Sequence, residues 1–428
     1  MLSKPFFGYA NPKFTYELLS TSLPRPVTIT SPPVVTLMLP RKMGGAASPQ
    51  LKPGTRVLTG QLLTWDDAPG PGVVSSVTGT IRQVSAHLGD YGRKYTAIVV
   101  ETEKADEFDE GFAAACESAD LSGLADYLSG VPGSPDLHQL TDPQKPIHTI
   151  IIYGGDTDLL VDTNLFVVKS RMADIAKGIH LLKAKAGAEK IVLTVPGESF
   201  QNFDGHFEAE VIAVPNAYPY GQPLMIFYQR FNRILDQGQT FQDQGVLFMR
   251  AEAVAAIGQA LTEKRVPNEK LVTVLDKQGR KRLVSARIGT PIGEILKATG
   301  ITLQERDRLV LGGPMTGTAV FSEDQPVMAD TDAIMAQDAS RITATSDYPC
   351  INCGECIRVC PANIAVNILV RFLEAGEYQE GADLYDLYAC VECGLCSFVC
   401  TSRIPILQYI KLAKFELARE VPVEEANE

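Results

Sequence analysis

The sequence predicts a multi-domain α+β protein built from four successive units, and three observations carry that prediction. Short β-strands broken by Pro and Gly fill the first hundred residues. Strands and helices then alternate to about residue 260, the pattern of an α/β sandwich with a mostly parallel sheet. Eight of the nine cysteines fall into two near-identical runs close to the C-terminus. The expected division is 1–100, 101–265, 266–338 and 339–428, and 428 residues suffice for a separate core in each unit.

In the first unit, strands are expected at Val27–Ile29, Val34–Leu39, Arg56–Leu58, Gln61–Thr64, Gly79–Val84 and Tyr95–Val100. The phrases Gly54-Thr-Arg-Val57-Leu-Thr-Gly60-Gln61 and Ser75-Ser-Val-Thr-Gly79-Thr-Ile81 resemble the barrel-sandwich hybrid of lipoyl and biotin carriers, whose glycines allow tight turns between flattened strands. A carrier needs a modifiable Lys at the hairpin tip. Ser75–Val84 has none, so a structural or docking role is expected.

In the second unit, Ile147–Ile152 and Lys190–Val195 read as buried strands, and Thr163–Ala186 has helical period. Val211–Val214, Ala251–Thr262 and Lys270–Val274 continue the alternation. The strand ending at Tyr153-Gly154-Gly155-Asp156 points its carboxyl end at a Gly turn, where open α/β sheets bind ligands. Asp156 and Asp158 are expected to cap the helix that begins near Thr163. Tyr218–Tyr220 reads as a turn packed by aromatics, and Cys116 as a small buried hydrophobe. The third unit reads as a compact β-grasp, with a turn ahead of a helix at Ile288–Leu296. Its glycine-rich Leu311–Gly317 lacks the helix and Lys of a phosphate loop and so reads as a sharp structural turn.

The cysteine runs are Cys350-Ile-Asn-Cys353-Gly-Glu-Cys356-Ile-Arg-Val-Cys360-Pro361 and Cys390-Val-Glu-Cys393-Gly-Leu-Cys396-Ser-Phe-Val-Cys400. This is the spacing of bacterial dicluster ferredoxins, which hold two [4Fe–4S] clusters with the fourth Cys of each run ligating the other run's cluster. The expected ligand sets are Cys350, Cys353, Cys356 with Cys400, and Cys390, Cys393, Cys396 with Cys360. Structural zinc would need only four ligands in two CxxC pairs. Covalent haem needs CxxCH, and no His follows either pair. Disulfides would imply an oxidising compartment, but the start lacks a basic-then-apolar signal segment. The 29 residues of Pro361–Ala389 carry helical signals, which favours a helical dicluster unit over a small two-hairpin ferredoxin. A closing amphipathic helix is expected at about 404–419, then a frayed acidic tail.

No apolar run approaches the ~18–20 residues of a membrane helix, so any membrane association is expected through partners. A net charge of −12 argues against nucleic acid and against direct docking on anionic lipid.

Taken in order, these parts resemble the C subunit of the Rnf complex, the ferredoxin:NAD⁺ oxidoreductase family. The likeness runs through nearly the whole chain. It rests on the hybrid barrel, on Tyr218-Pro219-Tyr220-Gly221, on Gly289-Thr290-Pro291 followed by Leu311–Gly317, and on the two cysteine runs. The resemblance implies a second unit of the type found in the flavin-bearing subunit of respiratory complex I, where FMN and NADH bind. It implies an SLBB-like β-grasp third unit. It also implies other subunits of a membrane-bound complex as partners, with ferredoxin or another electron carrier, on the cytoplasmic face of the inner membrane. Two family elements depart here. The glycine-rich loop that receives phosphate corresponds to about residues 128–138, where Gly130 and Gly133 are separated and Pro132 and Pro135 each remove a donor. The acidic segment survives only as Gly154, Asp156 and Asp158, with Tyr153 in place of its leading Asn and Asn164 in place of its trailing Asp. The expected function is an electron-transfer subunit without an independent catalytic site. A complete FMN-containing NADH dehydrogenase subunit and a cobalamin-reductase-like flavin and iron–sulfur protein are the alternatives.

Overall fold

The computed structural model describes residues 12–19, 23–40, 51–65, 72–89, 93–117, 121–197, 207–346 and 348–420; the acidic tail lies outside them. A two-residue strand, β1 (Val27–Thr28), comes first. It is followed by β2 (Val34–Pro40), β3 (Arg56–Val57), β4 (Leu62–Leu63), β5 (Val73–Val74), β6 (Gly79–Leu88) and β7 (Lys94–Thr102). An antiparallel sheet runs β2-β7-β6-β3 and a two-stranded ribbon pairs β4 with β5. Alternate residues Val35, Leu37 and Leu39 of β2 turn inward onto Val57, Leu63, Ile81, Ile98 and Val100, which is the period-2 burial of a half-exposed sheet. β1 departs from the sequence reading. It pairs in parallel with a strand of another sheet, Val27 against Val284, and so stands outside the barrel.

After α1 (Gly111–Glu117) and α2 (Leu121–Leu128) the chain enters the parallel unit: β8 (Thr149–Tyr153), α3 (Thr163–Ser170), α4 (Met172–Lys185), β9 (Lys190–Pro196), β10 (Glu210–Val214), α5 (Pro223–Phe231), β11 (Val246–Arg250) and α6 (Ala251–Glu263). The strand order is β10-β9-β8-β11, all neighbours parallel. Both faces are covered, which explains the continuous apolar run in β8. Ile150 and Ile152 face the core under α3, α4 and α6, while Ile151 and Tyr153 face α5. The expected single helix over 163–186 is two helices, because Arg171 leaves helical geometry at φ −129° between α3 and α4.

β12 (Glu269–Leu275), β13 (Lys281–Arg287), α7 (Ile292–Thr299), β14 (Arg308–Leu311), β15 (Thr318–Val320) and β16 (Ala333–Gln337) form a mixed six-stranded sheet, order β1-β13-β12-β16-β14-β15, with α7 packed on it. β12 therefore belongs here rather than continuing the parallel sheet. Its Lys270 is fully buried, with its ammonium 2.6 Å from Glu252 at the start of α6. That pair joins the two sheets. Arg287 does the same toward the barrel through a two-bond contact with Asp106 at 2.8 and 2.5 Å.

The last unit is helical: α8 (Glu355–Val359), α9 (Val366–Ala375), α10 (Tyr378–Leu384), α11 (Leu395–Val399) and α12 (Ile406–Glu420). Leu369, Val370 and Leu373 of α9 meet Ile410, Ala413 and Leu417 of α12 at i, i+3, i+4 spacing, and cysteine side chains complete this core. Among the described residues no helix is long and apolar enough to cross a membrane.

Candidate functional site

Each cysteine run builds the same local device. The third residue after the first Cys closes a loop, a left-handed Gly follows (Gly354 at φ 76°, Gly394 at φ 74°), and a one-turn helix begins. Cys360 and Cys400 end those helices, as C-caps of α8 and α11. Because α8 and α11 pack against each other, the end of one run is carried to the loop of the other. One cavity is lined by Cys390, Cys393 and Cys396 together with Cys360, and closed by Val391, Leu395, Leu407 and Ile410. The sulfurs of Cys390, Cys393 and Cys396 all feel the charge of Cys360. In the first run, Cys356 feels Cys353 and Cys350. The Cys353 sulfur lies 3.5 Å from the Thr401 hydroxyl, next in sequence to Cys400.

Burial pushes these thiols up: Cys356 and Cys390 to about 11, Cys393 to about 12, and Cys396 well above its ordinary value. Apolar walls disfavour a bare thiolate. Binding iron as thiolate must therefore expel protons, and iron's positive charge supplies what the walls do not. A cubane takes one cysteine per iron, and the four cysteines of the cavity, Cys360 from one run and Cys390, Cys393 and Cys396 from the other, supply that number.

The two sites differ in surroundings. The second-run cysteines are walled by the parallel unit: Tyr218 donates from its hydroxyl to the Cys393 carbonyl at 2.6 Å, and Tyr228 to the Ala389 carbonyl at 2.9 Å. Burial raises both phenols, Tyr228 to about 12, so both stay donors. Lys414 of α12 holds the Cys390 carbonyl and Glu392, both at 2.9 Å. Beside the first run, Tyr348 and Ile351 are exposed.

The acidic segment after β8 divides its tasks. Gly154 donates to the Thr194 carbonyl at 2.7 Å. Asp156 accepts from the Asn164 and Leu165 amides at 2.8 and 3.2 Å, capping α3 as expected. Asp158 does not cap that helix. It accepts from the Leu159 and Met315 amides and from both the amide and hydroxyl of Thr316, pinning the turn of residues 312–317. That turn in turn touches the second cysteine run: a Cβ on Gly394 would lie 2.4 Å from the Met315 carbonyl oxygen, and Lys411 holds the Thr316 carbonyl. Asn164 spends its side chain on the Tyr153 and Gly155 carbonyls and the Glu252 amide. Burial raises Asp156 well above the carboxylate range and raises Asp158 too, opposed in part by the amides at Asp156 and by the Thr316 hydroxyl and three amides at Asp158. Asn164 was marked only as the place of the family's trailing Asp, and sequence reasoning missed Tyr16, Lys411 and Lys414, which no spacing marks.

The residues present do not fit FMN. In the loop of residues 128–138 the amides of Val131, Gly133 and Ser134 are spent on the Leu128, Ala329 and Val131 carbonyls. Gly133 lies against the backbone of Ala253, where a Cβ would stand 2.7 Å from its nitrogen. None of these residues lines the cleft at the carboxyl edge of the parallel sheet. Those three amides are not free to receive a phosphate.

The chain matches the family model for the RnfC barrel sandwich hybrid domain over residues 20–105 and that for a 4Fe-4S dicluster domain over 349–404. It is 27% identical over 402 residues to the C subunit of the ion-translocating oxidoreductase complex of Pseudomonas aeruginosa, covering 89% of this chain and 52% of that one. It is 25% identical over 417 residues to the C subunit of the proton-translocating ferredoxin:NAD(+) oxidoreductase complex of Clostridium ljungdahlii, covering 92% and 90%. For the corresponding C subunit of Rhodobacter capsulatus the figures are 27% over 415 residues, 91% and 79%. The chain thus spans about half the length of some curated relatives and nearly all of others. Among solved structures, an NAD+-reducing [NiFe]-hydrogenase in the air-oxidized state aligns with 72% of this chain and 70% of its own at 12% identity, with a TM-score of 0.46, too loose a likeness to bear on the site. With a hybrid barrel, a dicluster unit and an alignment along most of its length, this chain is similar to the C subunits of ion-translocating oxidoreductase complexes.

Proposed function

We propose that this chain is the electron-transfer iron–sulfur subunit of an RnfC-like membrane-associated oxidoreductase complex, with two [4Fe–4S] clusters as its redox centres. The observation that carries the reading is the cavity in which Cys360 of the first run joins Cys390, Cys393 and Cys396 of the second. Cys350, Cys353, Cys356 and Cys400 would hold the other cluster. When bound, each cluster supplies one-electron redox chemistry. Tyr218, Tyr228 and Lys414 hold the second loop in place, and Val391, Leu395 and Ile410 keep water from its sulfurs. The exposed side chains of Tyr348 and Ile351 beside the first run offer a face to a partner's redox centre.

The fourfold division at about residues 100, 265 and 338 belongs to the same proposal, with the third unit an SLBB-like β-grasp. The partners are other subunits of the complex, ferredoxin or another carrier being the soluble one, on the cytoplasmic face of the inner membrane. The alternatives, a complete FMN-containing NADH dehydrogenase subunit or a cobalamin-reductase-like protein, both need a flavin loop. The spent amides of Val131, Gly133 and Ser134 weigh against them. The pure protein, given NADH and an artificial one-electron acceptor, should show no turnover, while dithionite should reduce it and the acceptor reoxidise it. Sustained NADH oxidation by the isolated chain would overturn the reading.

A further inference from the structure

Open parallel sheets bind ligands at the carboxyl ends of their strands. Here that edge, at Gly155, Asp156, Thr194, Pro196 and Val214, is closed by the chain's own residues Tyr16 and Glu17. The enclosed space left is about 20 Å³, room for one water, where a ligand pocket has about 300 Å³ or more. The segment of residues 12–19 alternates, Phe14, Tyr16 and Leu18 half-buried and Thr15 and Glu17 exposed, so one side faces the cleft throughout.

Its contacts are specific along its length. The Phe14 carbonyl accepts the Tyr218 amide at 2.9 Å, the Tyr16 carbonyl accepts from the Asn216 side chain at 3.2 Å, and the Leu19 carbonyl accepts the Lys169 ammonium at 2.6 Å. The Tyr16 hydroxyl accepts the Gly221 amide at 3.3 Å, and its ring tilts against Tyr218 at 5.7 Å. Glu17 pairs with Lys281 at 2.7 Å, and the Phe14 ring meets Phe398 of the second cysteine run edge-on at 5.1 Å. The phenol is buried, within reach of the charges of Asp158, Asp156 and Cys393. It therefore stands between the sheet edge and the second-run cysteines, where a diffusible redox ligand would have to sit to exchange electrons with them.

We propose that residues 14–19 are the resident ligand of this cleft, held in place of a flavin or nucleotide and clamping the second cysteine run to the sheet edge. The proposal deepens the reading of a flavin-free electron-transfer subunit and rests on it only for the statement that no diffusible cofactor is needed.

Amide hydrogen exchange on the full-length, anaerobically prepared protein tests it, with FMN titrated into the same sample. The Tyr218 and Gly221 amides should be protected, and FMN should not bind. In the Phe14→Ala, Tyr16→Ala double variant, the Tyr218 amide should lose protection by about tenfold or more while Ile152 and Leu193 keep theirs. Tyr218 donates to a main-chain carbonyl, so removing two side chains exposes it only if the whole segment lifts. Free exchange at Tyr218 and Gly221 in the wild type, stoichiometric FMN binding to it, or unchanged Tyr218 protection in the variant would each overturn the proposal. If the variant unfolds, seen as lost protection at Ile152 and Leu193, the wild-type exchange and FMN titration decide. Iron and sulfide on the same sample report separately on the electron-transfer reading.

Discussion

Lys414, its side chain 18% exposed, places an ammonium at the main chain of Cys390 and pairs with Glu392 close to the second-run sulfurs. A positive charge there favours the reduced cluster, since reduction adds a negative charge to a site of low dielectric. Lys414→Met removes the cation and leaves Glu392 unpaired, and both changes push the same way. A redox titration followed by electron paramagnetic resonance should show one cluster moved to lower potential by some tens of millivolts, the other unmoved. Asp158 acts on structure instead. Its carboxylate satisfies three part-buried amides and one hydroxyl, so Asp158→Ala strands donors at a cost of about 1–3 kcal/mol, reduced by the relief of an expensive buried charge. Urea unfolding should report a loss near the middle of that range.

Gly354 and Gly394 occupy the same place in the two cysteine loops with nearly the same left-handed φ, yet their neighbours differ. A Cβ on Gly354 meets only the guanidinium of Arg358 at 3.7 Å, whereas on Gly394 it drives into the Met315 carbonyl oxygen. Ala at either position costs about 1–2 kcal/mol for the left-handed backbone. At Gly394 the turn of residues 312–317 must also move. Gly394→Ala should lower the midpoint of thermal unfolding and the iron content well below Gly354→Ala, measured side by side. Tyr218→Phe and Tyr228→Phe, each losing a buried hydrogen bond of about 1 kcal/mol, should quicken chelator-driven loss of the second-run cluster and spare the first. The cysteine loops were legible in the sequence because cluster ligation fixes short, local spacings. The role of Asp158 was not, because its partner Met315 lies 157 residues downstream and only the tertiary fold brings them together. β1 was visible as a strand, but two residues carry no pattern to say which sheet they join.

Across the whole molecule, packing divides the chain by what it depends on. The parallel sheet has its own core, running from Phe112 to Val266 with Val74 of β5 added, without a cysteine ligand in it. The helical unit counts Cys356 and Cys396 among its core residues, with Cys350, Cys360, Cys390 and Cys400 packed against them. Stripping iron should therefore unfold the C-terminal unit while the parallel sheet stays folded, seen as loss of exchange protection in residues 366–375 and 406–417 but not in 149–153. The order of units was readable from alternation and cysteine spacing. The filling of the ligand cleft by residues 14–19 was not, since an extended segment without a motif reveals its place only through what it touches. The proposal that two cysteine-held clusters are the redox centres of the chain meets its most direct test in iron, acid-labile sulfide and flavin quantified on one anaerobically purified sample. About eight iron and eight sulfide per chain with no flavin are expected; stoichiometric FMN, or iron that stays near four after reconstitution, would contradict it.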